Sequence, residues 1–278
     1  MFAFLSSFFE KKSIDCYAPI PLSECRIVKP YLLERAGIGG GTVIMMAIPY
    51  FSPACKAPKR NISAYAVSRD YHLFYKELFA ELLSELSERY PQNKFAAFAD
   101  HSPIDELQAA AKAGLGMIGK NHLLITQKYS SYVFLGELIT DIEIPCRAQP
   151  ILECENCGRC MSLCPAKECG GCLSALTQKK GALDQNEEAY ILKFGSLWGC
   201  DICQEVCPHT QRALKRGSIE SPIGFFKEEA IPCLSSSLLE SMSDEDFAKR
   251  AYSWRGRETI MRNIKLAEMQ AKKGDPSC

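Results

Sequence analysis

Cys154-Glu155-Asn156-Cys157-Gly158-Arg159-Cys160-Met161-Ser162-Leu163-Cys164-Pro165 and, further along, Cys200-Asp201-Ile202-Cys203-Gln204-Glu205-Val206-Cys207-Pro208 decide how this chain is read. The first stretch spells C-x2-C-x2-C-x3-C-P and the second C-x2-C-x3-C-P. This is the spacing of proteins that hold two [4Fe–4S] clusters. Three thiolates grip one cluster, and the thiolate beside proline reaches across to the other. Read reciprocally, Cys154, Cys157, Cys160 and Cys207 hold one cluster, and Cys164, Cys200 and Cys203 fill three corners of the second. Its fourth ligand is missing from the second run; Cys169 and Cys172, between the runs, are both candidates. Zinc ribbons also use C-x2-C units, but zinc takes its ligands as two pairs, and a run of four ending in C-P does not divide that way.

Six of the 15 cysteines lie outside the runs and these two candidates: Cys16, Cys25, Cys55, Cys146, Cys233 and Cys278. Their scatter outlines no disulfide framework, and clusters suit a reducing compartment, so a cytoplasmic location is expected. The 278 residues carry a formal net charge of zero, which excludes global attraction to nucleic acid but permits a local basic patch. The N-terminal MFAFLSSFFEKK is apolar but short and lacks a basic lead, so a packed helix is expected there rather than a signal peptide. No segment reaches the roughly 18 uninterrupted apolar residues of a membrane span.

Three segments are expected. Residues 1–145 read as a mixed α/β domain. Thr42 to Ile48 is a buried strand ended by Pro49. After Asp70, residues Tyr71, Phe74, Tyr75, Leu78, Phe79, Leu82, Leu83 and Leu86 form one apolar helical face, ended by Pro91. Lys94 to Ala99 is a short strand that delivers Asp100. Ser102 and Pro103 then read as the cap and first position of a helix that runs to Lys112 and stops at Gly114. Gly114-Leu115-Gly116-Met117-Ile118-Gly119-Lys120-Asn121 puts three glycines in six residues, as a backbone approached closely requires. Tyr132 to Thr140 is another strand. Residues 146–216 form the cluster module, with a helix near Asn186 to Phe194. Residues 217–278 are a basic segment with helices around Leu238–Ala251 and Arg257–Lys272.

Clusters alone make an electron carrier, and the N-terminal half is far larger than a carrier needs. An acid at the C-terminal end of a strand, such as Asp100, can act as the proton donor of a reductive step. Taken alone, Asp100 reads better as an ordinary turn or cap residue, and His72 and His101, which could be ligands, read better as polar residues near helix starts.

Seven segments together resemble one family. They are Ser68-Arg69-Asp70-Tyr71-His72, Ala99-Asp100-His101-Ser102-Pro103, Ala113 to Asn121, Phe134-Leu135-Gly136-Glu137-Leu138-Ile139-Thr140, Cys172-Leu173-Ser174-Ala175-Leu176-Thr177, Gly199 to Pro208, and Trp254-Arg255-Gly256-Arg257. In this order they are similar to the epoxyqueuosine reductases, cobalamin-dependent iron–sulfur oxidoreductases of tRNA modification. The resemblance implies an α+β fold: a nitroreductase-like α/β cobalamin-binding domain, a bacterial two-cluster ferredoxin-like domain and short C-terminal helices. It implies Asp100 as the proton donor. Cobalamin contacts would come from Gly119, Lys120, Asn121, His122, Leu123, Leu124 and Leu135. Cys172 would be the eighth cluster ligand, in preference to Cys169.

The implied reaction reduces epoxyqueuosine to queuosine at the tRNA wobble position. Partial burial beside a corrin would then raise the Asp100 carboxyl. The implied partners are tRNA carrying epoxyqueuosine and an external electron donor such as ferredoxin or flavodoxin. A monomer free of the membrane is expected. Arg212, Lys215, Arg216, Lys249, Arg250, Arg255, Arg257, Arg262, Lys265, Lys272 and Lys273 are the candidate basic surface. Met117 replaces the family's usual tryptophan and Ser68 its usual glycine. The chain also reads as a short form without the helical repeats that follow in many members. The rival readings are another corrinoid reductase, such as a reductive dehalogenase, and an electron-transfer protein that activates a corrinoid partner.

Overall fold

The computed structural model describes residues 1–274. The side chains of Cys169, Lys272 and Lys273, and all of Cys278, lie outside the described residues. The chain forms two compact units. Residues 1–50, 71–158 and 208–223 make the first, and residues 51–70, 159–207 and 224–278 the second. The polypeptide passes between the units more than once, so the segments 1–145, 146–216 and 217–278 do not coincide with them.

The first unit is mixed α/β. Elements are numbered along the chain: α1 Phe2–Lys11, β1 Tyr17–Pro21, α2 Pro30–Ala36, β2 Thr42–Pro49, α3 Tyr71–Arg89, β3 Phe95–Phe98, α4 Glu106–Lys112, β4 Met117–Ile118, β5 Leu124–Ile125, β6 Val133–Thr140 and α10 Pro208–Arg216. Four strands form an antiparallel sheet in the order β1-β2-β6-β3, and β4 and β5 form a separate hairpin. The eight residues of β2 are all buried, as expected of a continuous apolar run in a central strand. Val43, Met45, Ala47 and Ile139 share one sheet face with Ala109, Ala110 and Ala111 of α4. On α3, Phe74, Tyr75, Leu78, Leu82 and Leu86 are buried, the helical stripe read from the sequence. Tyr75 settles onto β6 because residue 136 is glycine: a Cβ there would lie 2.5 Å from the Tyr75 Cε1.

The start of α4 differs from expectation. Asp105, not Ser102, is its N-cap and accepts the Gln108 N–H. Ile104 is still extended and bridges to Ile27, so Ser102 and Pro103 precede the helix, and the Ser102 hydroxyl accepts the Ile104 N–H instead.

The second unit is helical: α5 Arg159–Ser162, α6 Ala166–Cys169, α7 Leu173–Thr177, α8 Gln185–Phe194, α9 Ile202–Glu205, α11 Ser236–Ser241, α12 Asp244–Ala248 and α13 Arg257–Gly274. Trp198 is fully buried in it. Asn263 of α13, also fully buried, donates to the Thr177 and Leu197 carbonyls at 2.8 Å each. The single helix expected over Leu238–Ala251 is two, because the Ser243 hydroxyl accepts the Asp246 N–H and starts a new one. Among the described residues, no helix is long and apolar enough to cross a membrane.

Candidate functional site

Asp100 stands two residues beyond β3 in the left-handed region, with φ at +63°. That conformation is uncommon for a residue with a side chain, though aspartate tolerates it better than most. The turn aims its carboxylate at the start of α3. There the Tyr71 hydroxyl donates to it, and His72 Nε2 lies 3.2 Å away. Tyr71 is held flat against Phe134 of β6, with ring centroids 4.0 Å apart and planes at 14°. Next to Asp100, the Lys29 ammonium donates to His101 Nδ1 at 3.3 Å. Nε2 of that ring therefore carries the proton and donates to the Tyr31 hydroxyl at 2.9 Å.

This environment reverses one expectation. Partial burial pushes the Asp100 carboxyl up, but the hydrogen bonds from His72 and Tyr71 outweigh it and hold the group below its ordinary value. On its own, then, Asp100 rests as a carboxylate.

Two further acids stand behind it. Glu106 opens α4 and accepts the Asp100 N–H at 3.3 Å. Burial, together with the Asp100 charge, pushes its carboxyl up to about 7. Glu137 on β6 is 0% exposed, and neither carboxyl oxygen has a partner in full hydrogen-bonding geometry. It pairs across the sheet with Met45 and Phe98, which places it on the face covered by α4. Its polar neighbours are Glu106 and the Ser102 hydroxyl. Burial first, then the charge of Glu106, pushes it well above the ordinary carboxylate range.

The Gly-rich turn is the β4–β5 hairpin, with residues 119–123 at its tip. Asn121 Oδ1 is buried there without a hydrogen-bond partner, and His122 takes a φ of +58°. Such an orphaned acceptor fits a ligand rich in amide N–H groups, as the carboxamides around a corrin are. Lys120 and His122 are exposed and Leu135 is half-buried, all open to a ligand. Leu124 is different: its side chain belongs to the core, which leaves only its backbone for a ligand. Beside the hairpin, Gly114, Gly116, Met117, Leu152, His209 and Arg212 line a cavity of about 690 Å³. The Cys154 N–H donates to the Ile118 carbonyl of β4 at 3.1 Å, so the first cysteine run is fastened to this hairpin.

All eight cysteines of the two runs and Cys172 are free thiols, a donor set suited to clusters. Among the described residues, no group of three or more His, Cys, Asp or Glu side chains is gathered closely enough to hold a single metal ion. In the second unit, Cys160 lies on α5 and Cys203 on α9, which pack together, and Cys172 caps α7. Burial pushes the Cys200 thiol up to about 12, and the nearby Asp201, Cys203 and Cys172 push the same way. Cys172, Cys200 and Cys203 are therefore neighbours, and binding iron there must displace protons. Gly199 precedes this turn at φ +74°, where a Cβ would lie 2.5 Å from the Ser63 Cβ.

Asp201, 5% exposed, fixes the turn. It accepts Arg60 Nη1 at 2.6 Å, the Ala64 N–H at 2.7 Å and the Ser63 hydroxyl.

Much of the proposed basic surface is spent internally. Arg250 is 4% exposed and donates to the Glu229 carbonyl. Arg257 holds the Leu239 and Met242 carbonyls and the Asp244 carboxylate. Arg262 donates to the Lys179 and Gly181 carbonyls, Arg216 to that of Gln127, and Arg212 to Glu155. Arg255 lies over the exposed Trp254 ring at 3.7 Å.

Sequence reading weighed His72 only as a possible ligand and placed Tyr71 on the apolar face of a helix, so it missed both as partners of Asp100, and it missed Glu106. It passed over Glu137 too, although an acid inside Phe134-Leu135-Gly136-Glu137-Leu138-Ile139 was the signal available.

Three comparisons bear on this arrangement. The family model described as epoxyqueuosine reductase QueG, DUF1730 matches residues 36–101. The epoxyqueuosine reductase of Lactococcus garvieae is 31% identical over 243 residues, covering 81% of this chain and 68% of the relative. The chain spans about two thirds of the length of the curated relatives it matches. The structure of epoxyqueuosine reductase from Streptococcus thermophilus superposes with a TM-score of 0.77 at 23% identity, over 99% of this chain and 86% of that one. An epoxyqueuosine reductase crystallised with an epoxyqueuosine-modified tRNA stem loop gives 0.71 at 24%, over 98% and 83%.

Proposed function

Because the chain belongs to the epoxyqueuosine reductase family, we propose that it reduces epoxyqueuosine in tRNA to queuosine. The reading adds that the first unit is nitroreductase-like and takes cobalamin at the β4–β5 hairpin and Leu135. Cys154, Cys157, Cys160 and Cys207 would hold one [4Fe–4S] cluster, and Cys164, Cys172, Cys200 and Cys203 the other, in a bacterial ferredoxin-like arrangement. When bound, the corrin would supply a low-valent cobalt able to reduce carbon, and the clusters would supply electrons singly from a ferredoxin or flavodoxin. The observation that carries the reading is the 3.1 Å bond from the Cys154 N–H to the Ile118 carbonyl. It ties a cluster ligand to the hairpin that also offers the orphaned Asn121 oxygen.

The chain's own part is positioning and proton transfer. Opening an epoxide to an alkene releases the oxygen as water and takes up two electrons and two protons. Asp100 gives a proton to the departing oxygen, and Tyr71 and His72 hold the carboxylate that remains. The Lys29–His101–Tyr31 chain keeps the neighbouring turn in place.

The test is anaerobic incubation of the cluster-loaded, cobalamin-loaded protein with epoxyqueuosine-containing tRNA and a low-potential reductant, followed by nucleoside analysis. Queuosine is expected. Asp100→Asn should slow its formation by roughly 10²–10⁴-fold, the scale of a lost general acid, without loss of either cofactor. Unchanged epoxyqueuosine with fully loaded wild-type protein overturns the reading. Full turnover by Asp100→Asn removes Asp100 from it.

A further inference from the structure

Asp100 is needed as an acid, yet its hydrogen bonds favour the carboxylate. Its proton must therefore come from somewhere close. Three carboxyl groups meet here: Asp100 beyond β3, Glu106 at the start of α4 and Glu137 inside β6. Glu137 has no exposed surface, and neither of its oxygens has a hydrogen-bond donor in good geometry among the described residues. An isolated carboxylate in such a place is very costly, and the group stays neutral instead. A neutral carboxyl has a proton to share, and Glu106 is its nearest acceptor.

Resting on the proposed reduction, we infer that Glu106 and Glu137 form a proton reserve behind Asp100, in which Glu137 stays neutral and Glu106 delivers its proton to the Asp100 carboxylate. The step is a proton transfer only. The O–H bond on Glu106 breaks and one forms on Asp100, which then gives the proton to the departing oxygen. Glu106, half-buried rather than sealed like Glu137, takes the replacement proton from solvent. Both glutamates are positioning residues, because they act through Asp100.

The titratable and charged groups around the pair fit this role. Tyr75 faces it from α3, Asp100 from the turn, and Cys25 and Lys29 from the segment before α2, while Tyr71 and His72 meet Asp100. Burial keeps the Tyr75 phenol protonated, pushed well above its ordinary value, and its hydroxyl is directed to the Phe134 carbonyl at 3.2 Å. Lys29 is engaged with His101. Lys29 draws Glu106 down only weakly, whereas burial and the Asp100 charge drive it towards holding its proton.

The test begins with infrared titration of the full chain without substrate, from pH 5 to pH 9. Wild type should show one carboxylic-acid C=O band that disappears near pH 7, the value to which burial raises Glu106. A second band should persist well above it. Glu106→Gln should remove the first and Glu137→Gln the second. If Glu137→Gln does not fold, Glu106→Gln carries the test alone, since a glutamine there keeps the acceptor for the Asp100 N–H.

The second readout is single-turnover reduction by the loaded enzyme. Glu106→Gln should lower the rate about tenfold or more, flatten its fall above pH 7, and leave KM unchanged. Absence of any carboxylic-acid band above pH 6 in wild type overturns the inference. So does a wild-type rate and pH profile in Glu106→Gln. A wild type that shows both bands but reduces no epoxyqueuosine upholds the proton reserve and refutes the proposed reaction.

Discussion

Truncating Asp201 should unfasten the turn that presents Cys200 and Cys203. In Asp201→Ala the Ala64 N–H and the Ser63 hydroxyl lose their acceptor, and the Arg60 guanidinium, only 16% exposed, loses the more buried of its two carboxylates. Stranding a buried charge altogether costs about 3–5 kcal/mol. Arg60 keeps Glu205 at 2.6 Å and the Ile62 carbonyl at 2.7 Å, which puts the loss at the lower end, about 3 kcal/mol. At roughly 2–4 °C per kcal/mol for a chain of this size, Tm should fall by about 6–12 °C. Asp201→Asn keeps the shape but turns an amide N–H2 towards two of the four donors, so about half that fall is expected. The assay is an anaerobic melt paired with iron and sulfide counts. Asp201→Ala should lose about half of its bound iron, because one of the two proposed clusters would depend on this turn. Because the pair is mostly buried, raising the salt to about 0.5 M should leave the difference intact. A melt within 2 °C of wild type, with full iron content, refutes the reasoning.

Two further outcomes are expected. Glu106 is raised from about 4.5 to about 7 in the folded chain, so it favours folding below pH 4.5 and loses that contribution as the pH rises through 7. The contribution is at most about 3 kcal/mol at 1.36 kcal/mol per pH unit. Asp100, held below its ordinary value, has the opposite sign and loses stability as the medium turns acid. The Tm of Glu106→Gln minus that of wild type should therefore increase between pH 5 and pH 8; a difference independent of pH contradicts the raised carboxyl. Arg257→Ala should cost about 1–2 kcal/mol in urea unfolding through the carbonyls of α11 it now leaves unpaired. Arg255, which lies over the exposed Trp254, is the better place to look for lost tRNA affinity at constant stability.

The strands and helices were legible wherever the apolar pattern decides burial. The stripe of α3 follows from its helical period and β2 from its uninterrupted apolar run, and both formed as read. The cysteine runs were legible because spacing alone carries ligand chemistry. What the sequence hid is tertiary. Ser102 and Pro103 carry a good helix-start signal, yet a bridge between Ile104 and Ile27 holds the chain extended and passes the cap to Asp105. The arginines of the C-terminal segment read as a charged surface because composition cannot tell a solvated guanidinium from one that closes a helix end. Only packing shows Arg250, Arg257 and Arg262 engaged with carbonyls.

Asp100 shows the same limit at the site itself, and there it alters the chemistry. An acid placed at a strand end invites the argument that burial neutralises it. Here two donors from α3 reach it first and reward the charged form, so the burial that raises carboxyl groups acts one layer deeper, on Glu106 and Glu137. A donor that is easily ionised and a reservoir that is not divide the work between them: the first releases its proton readily, and the second keeps one close to replace it. A single raised carboxyl would hold its proton well and give it up poorly. Two environments on either side of one turn avoid that conflict, and they require both the left-handed geometry at Asp100 and the acid buried in β6.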